Sequence, residues 1–124
     1  MANECCNGVR QVMILACSGG SNVGQLSNRA AIELTQEGVG KMFCLAGIGG
    51  RVSGFVQSAK DVASLVVIDG CKIGCAKAIL NHADIPVSNY LVITDLNIEK
   101  NKDFNLAATD IDTVKNAVRH MIKG

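Results

Sequence analysis

The chain has no tryptophan and only four aromatic residues, Phe43, Phe55, Tyr90 and Phe104. That is too few to build the stacking platforms that hold single-stranded bases or a flavin ring. It also has no large excess of either charge: the formal net charge is +1, with basic residues scattered along the chain. Nucleic-acid binding therefore loses its usual electrostatic footprint. No apolar run approaches the roughly 20 residues needed to span a bilayer. The opening residues Met1-Ala2-Asn3-Glu4-Cys5-Cys6-Asn7-Gly8 show no basic stretch followed by an apolar segment, so no secretory signal is evident. The expectation is a cytoplasmic protein with neither membrane nor nucleic acid as partner.

What the chain does have is cysteine, six of them in 124 residues. A chain of this length buries a core without cross-links. In a reducing compartment an even cysteine count points to metal or catalysis before structural bridges. Three of the thiols stand where hydrophobic runs stop. Cys17 closes Val12-Met13-Ile14-Leu15-Ala16, and Cys71 and Cys75 follow Leu65-Val66-Val67-Ile68. In an open parallel sheet, ligands sit beyond the carboxyl ends of the strands, so thiols placed there can converge. Cys44 lies inside the run Met42-Phe43-Cys44-Leu45-Ala46 and joins them only if that strand ends early.

Short apolar runs alternate with helical patterns, the mark of strand-helix units and a parallel sheet. The periodicity predicts strands at 12–16, 42–48, 65–68 and 91–94. Helices are expected at 23–37, 54–60, 73–83 (burying Ile73, Ala76, Leu80 and Ala83) and in the last stretch, with Thr109 as N-cap and Ile111, Val114, Val118, Met121 and Ile122 on one face. Pro86 ends any continuation of the third helix. The connection 95–108 is long enough to favour a functional role or disorder. The fold class is α/β: one three-layer, Rossmann-like domain at 9–124, with an open, mostly parallel sheet of about four strands flanked by helices. Residues 1–8 form an N-terminal tail.

Each motif carries an ordinary and a chemical reading. Cys17-Ser18-Gly19-Gly20-Ser21-Asn22-Val23-Gly24 is a strand-to-helix turn whose N–H groups can hold an anion or stabilise a thiolate, or simply a tight turn with a buried thiol. Gln25-Leu26 stand where a phosphate loop needs Lys and Ser or Thr, and Val23 stands where a phosphatase loop needs Arg. Asp69-Gly70-Cys71-Lys72-Ile73-Gly74-Cys75 places two cysteines four apart at a helix start, on one face and able to share a metal, or else as two core thiols. Cys44 is a ligand or strand packing. His82, seven residues past Cys75 on one helix, stands about 10 Å further along, too far to share an ion, and His120 is a solvated or cap residue. Cys5 and Cys6 are exposed tail thiols, or a mobile pair reaching the cluster. Gly47-Ile48-Gly49-Gly50 permits close backbone approach but fails as a dinucleotide fingerprint because Val52 replaces the third glycine. Asp69 and Asp95 end strands, as turn formers or as acceptors beside the thiols. Ser18, Gly19, Ser21, Asn22 and Asp69 are the candidate residues around a bound group.

These residues together carry a resemblance. Cys17-Ser18-Gly19 with Ser21-Asn22-Val23-Gly24, Cys44-Leu45-Ala46-Gly47-Ile48-Gly49, Asp69-Gly70-Cys71 with Cys75-Ala76, Thr94-Asp95-Leu96 and Glu99-Lys100 resemble the DGC-domain family. This is a family of small proteins to which zinc binding is ascribed, named for the Asp-Gly-Cys motif. The resemblance implies Cys17, Cys44, Cys71 and Cys75 as zinc ligands and leaves the reaction unassigned. Two alternatives stay open. One is a thiol- or sulfur-transfer or redox enzyme with Cys17 as nucleophile, resolved by Cys71 or Cys75. The other is an iron–sulfur protein on the same thiolates. A small anion or sulfur-containing ligand is an expected partner beside the metal. In the enzyme reading, the helix after Cys17 should lower its pKa, and Cys44 should be the more buried thiol.

Overall fold

A computed structural model describes residues 12–123. Four strands form one sheet: β1 (Val12–Ala16), β2 (Lys41–Met42), β3 (Ser64–Asp69) and β4 (Asn89–Val92). All pairs are parallel, in the order β2-β1-β3-β4. Five α-helices accompany them among the described residues: α1 (Asn22–Gln36), α2 (Leu45–Gly49), α3 (Ser53–Asp61), α4 (Cys75–His82) and α5 (Ala108–Lys123). A 3-10 turn, Ile93–Leu96, follows β4.

Side chains of a strand point alternately to the two faces of the sheet, and β1 shows how this builds three layers. Val12 and Ile14, with Val66 and Ile68 of β3, pack under Val23, Leu26, Ala30 and Leu34 of α1 and Val114 and Val118 of α5. Met13 and Leu15, with Leu65 and Val67, face the opposite way, onto Ile48, Ala59, Ala76 and Leu80 from α2, α3 and α4. The central strands are apolar throughout β1 and over Leu65–Ile68 of β3 because both faces are covered. On the α1/α5 side, Lys115 is buried and reaches Glu33 at 2.9 Å and Glu37 at 2.6 Å, while Arg119 also bonds Glu37. This network ties the last helix to the first.

Several sequence expectations shift. The strand expected at 42–48 stops at Met42: the last pairing bond is Phe43 N–H to Ile14 C=O at 2.9 Å, and Cys44 then caps α2. A short apolar run does not distinguish a buried strand from a buried helix by period. The glycines that follow serve packing: a Cβ on Gly47 would stand 2.6 Å from the Phe55 ring, and one on Gly49 would stand 3.3 Å from Ile79. The third helix begins at Cys75 instead of 73, because Cys71 to Gly74 form a turn closed by Gly74 N–H to Cys71 C=O at 3.1 Å. Ile73 is therefore 73% exposed, where burial was expected. Thr109 lies inside the first turn of α5 and is not its cap; the Ala107 carbonyl accepts from Asp110 and Ile111. The fourth strand pairs over Asn89–Val92 and gives way to the 3-10 turn at Ile93.

Candidate functional site

In a sheet ordered β2-β1-β3-β4, the chain leaves β1 toward one edge and returns to β3 on its other side. The gap beyond the carboxyl ends of β1 and β3 is thus the topological switch point, where open α/β sheets bind ligands. Cys17 follows β1 directly, and its N–H still bonds Ile68 C=O of β3 at 2.9 Å. Gly70 and Cys71 follow β3. The two turns pack backbone to backbone. A Cβ on Gly70 would lie 2.8 Å from Gly24 N, and a Cβ on Gly24 would lie 2.6 Å from Gly19 O. Only glycine permits this approach, and it brings Cys17 and Cys71 to the same opening.

That opening is a cavity of about 280 Å³ lined by Cys17, Cys71 and Cys75, by Asp69, and by Lys100 and Lys102 among others. Three of the four sequence-predicted ligands are thus brought together. Cys71 precedes α4 and Cys75 is its first residue, so the pair shares the cavity through a turn instead of through one helix face. Cys44 does not line it. That thiol is exposed, contrary to the burial expected of it, and accepts from Gly47 N–H at 3.3 Å as the cap of α2. His82, exposed at the end of α4, and His120, exposed on α5, are likewise not among the lining residues. Asp95 is exposed in the 3-10 turn, and Cys5 and Cys6 lie outside the described residues.

The polar residues around the turn are engaged in holding it. Ser21 caps α1, its Oγ accepting from Gly24 N–H at 3.1 Å. The Ser18 and Gly19 carbonyls both accept from Gln25 Nε2 at 3.0 Å. Asn22 is a clasp: its Nδ2 donates to Glu99 C=O at 2.8 Å, its Oδ1 accepts from Asn101 N–H at 2.6 Å, and its own N–H donates to Asn101 C=O at 2.9 Å. Asp69, 1% exposed, anchors the other side. Gly74, the N-cap of α4, has no side chain to cap with, and Asp69 replaces it by accepting from Ala76 N–H at 2.8 Å and Lys77 N–H at 3.0 Å. Tyr90 O–H donates to the same carboxylate at 2.7 Å. Burial first, then this bond, pushes the Tyr90 phenol far above its ordinary value.

Cys17 behaves differently from the expectation for a nucleophile. Burial raises its pKa above the ordinary thiol value, and the charges of Asp69 and Cys75 push the same way. The N–H groups of Gly19 and Gly70 oppose this without overcoming it, the Gly19 bond to Sγ being 3.3 Å long. Cys71 instead meets a cation, Lys100 Nζ at 3.4 Å from its Sγ. Residue type alone does not mark Lys100 and Lys102 for the site; the length of the 95–108 connection is the sequence signal that points to this stretch.

The DGC domain model matches residues 13–118, most of the described chain. The chain belongs to the DGC domain family. It is also 31% identical over 100 residues, 81% of this chain and 76% of that protein, to the anaerobic and virulence modulator AnvM of Pseudomonas aeruginosa. No solved structure matches the chain. No helix among the described residues of this DGC domain is long and apolar enough to cross a membrane.

Proposed function

We propose that this DGC domain binds one thiophilic metal ion, zinc first, through Cys17, Cys71 and Cys75, without an assigned reaction. One observation carries the reading: thiols from two strand ends and one helix start line a single cavity at the switch point of the sheet. Among the described residues, no three His, Cys, Asp or Glu side chains are already grouped closely enough to hold an ion. Binding therefore requires the thiols to turn inward to the roughly 2.3 Å of a zinc–sulfur bond. The donor set suits this, since a cysteine side chain has a single rotor and soft thiolates select zinc or other soft ions. When bound, zinc would keep the thiols ionised and, with three protein donors, leave one coordination position for a ligand from outside. Cys44 completes a four-thiolate site only if α2 shifts toward the cavity.

The test is metal and acid-labile sulfide analysis of protein purified without oxygen, together with single Cys→Ser variants. About one zinc per chain, lost in Cys17→Ser, Cys71→Ser and Cys75→Ser, supports the reading. Loss in Cys44→Ser as well means the four-ligand form. Iron with sulfide assigns a cluster instead, and unchanged zinc in all four variants removes the metal site.

A further inference from the structure

The loop between the 3-10 turn and α5 does not wander over the surface. The Asn22 clasp fixes Glu99 and Asn101 to the first turn of α1, and this places Lys100 and Lys102 at the mouth of the thiol cavity. Lys100 donates to Cys71 Sγ and Lys102 to Gly20 C=O. An ammonium has three donors, so each lysine retains donors for another partner. Neither cavity lysine pairs with a carboxylate of another described residue. The carboxylate that does line the cavity, Asp69, is engaged by the α4 N-terminus and by Tyr90.

Deepening the metal reading, we infer that the open side of this cavity accepts a small anion with a sulfur donor, of the class of thiosulfate or hydrosulfide. Lys100 and Lys102 recognise its charge, and the thiol-lined floor recognises its sulfur. Three thiolates around a divalent ion leave one negative charge in excess, which by itself repels an anion. With the Asp69 carboxylate, itself bonded by the α4 N-terminus and Tyr90, that makes two negative charges, which the two ammonium groups at the mouth balance. At about 280 Å³ the cavity is at or below the lower limit of ordinary small-molecule sites, so the ligand has few heavy atoms. Soft donors prefer soft metals and thiol surroundings, which sets a sulfur anion above an oxyanion of equal charge.

Titration calorimetry with sodium thiosulfate, on reduced zinc-loaded and metal-free protein, tests this. Wild type should bind thiosulfate more tightly than sulfate. The double variant Lys100→Gln/Lys102→Gln should bind it about tenfold or more weakly, as expected for loss of charge-assisted bonds. Lys100→Arg/Lys102→Arg should restore binding, and Lys123→Gln, at the far end of α5, should change nothing. Zinc content measured in parallel separates the two ideas. One zinc per chain with thiosulfate binding absent, equal to that of sulfate, or indifferent to both lysines overturns the anion site and leaves the metal reading standing. No zinc in any preparation, with lysine-dependent thiosulfate binding retained, supports the anion site and overturns the metal reading.

Discussion

Asp69 is the residue on which the cavity wall depends, and its replacement by alanine gives the sharpest test of the architecture. Asp69→Ala removes an acceptor from three donors at once. Ala76 N–H is buried and loses its bond outright, and a buried donor left unsatisfied costs about 1–3 kcal/mol. Lys77 N–H and the Tyr90 phenol are part-buried, so water replaces some of what they lose, and about 0.5–1 kcal/mol each is a fair figure. The sum is about 3 kcal/mol, somewhat above the loss of an ordinary N-cap. Against a total stability of about 5–15 kcal/mol the protein still folds. With a urea m-value of about 2 kcal/mol/M, the unfolding midpoint should fall by about 1.5 M.

Tyr90→Phe isolates one arm of the triad: it keeps both backbone bonds and should cost only about 1 kcal/mol. Equilibrium urea unfolding followed by far-UV circular dichroism gives both values. Asp69 is not proposed as a ligand, yet the alanine variant should also bind zinc more weakly, because α4 begins at Cys75 and its frayed first turn no longer holds that thiol at the cavity. An Asp69→Ala midpoint within about 0.3 M of wild type would refute the capping account. It would also remove the reason for the Asp-Gly-Cys order at this site.

Two further perturbations address the charge network and the thiols. Glu37 is held below its ordinary 4.5, chiefly by its bond to Lys115, and Lys115 is raised above 10.5, chiefly by Glu37. The Glu37 contribution is therefore present above about pH 4.5 and lost as pH falls through its depressed value, while that of Lys115 is present below 10.5 and lost as pH rises through its raised one. The melting temperature of wild type minus that of Glu37→Gln should be flat between these limits, shrink below the lower one, and fall with added salt; a difference that grows on acidification contradicts the assignment. In metal-free protein, residue-resolved alkylation across pH should show exposed Cys44 reacting before Cys17, whose ionisation lies above the ordinary thiol range. Cys17 reacting first at neutral pH would restore it as a nucleophile.

The parallel sheet was legible because its signal is redundant. Val12 to Ala16 and Leu65 to Ile68 are apolar throughout, as strands covered on both faces must be, and the helices between them repeat at 3.6 residues. Cys17, Cys71 and Cys75 were legible for the same reason, since each stands just past a strand whose end was plain. Cys44 was not. Met42-Phe43-Cys44-Leu45-Ala46 is apolar enough for strand or helix, and what ends β2 is tertiary: the Phe55 ring packed on Gly47 and the cap bond to the Cys44 thiol itself. Ile73 misled in a similar way, its apolar character suggesting burial in a stretch that Asp69 and Gly74 turn outward.

The placement of Cys44 bears on how the site works. A thiol that caps α2 is held by a weak sulfur-accepting bond of 3.3 Å, and α2 has only five residues. Such an element reorganises at small cost compared with Cys17, which is tied through its backbone to β3, or Cys71, locked behind the Gly70–Gly24 contact. Three thiols on a rigid frame and a fourth on a short helix make a site able to exist in two forms. On the proposed zinc reading it would be open, with an outside ligand held at the lysines, or closed, with Cys44 drawn in. Thiosulfate and Cys44 would then compete for one coordination position. Cys44→Ser should consequently tighten thiosulfate binding to zinc-loaded protein and leave metal-free protein unchanged. An identical change in both states would mean that Cys44 never reaches the metal.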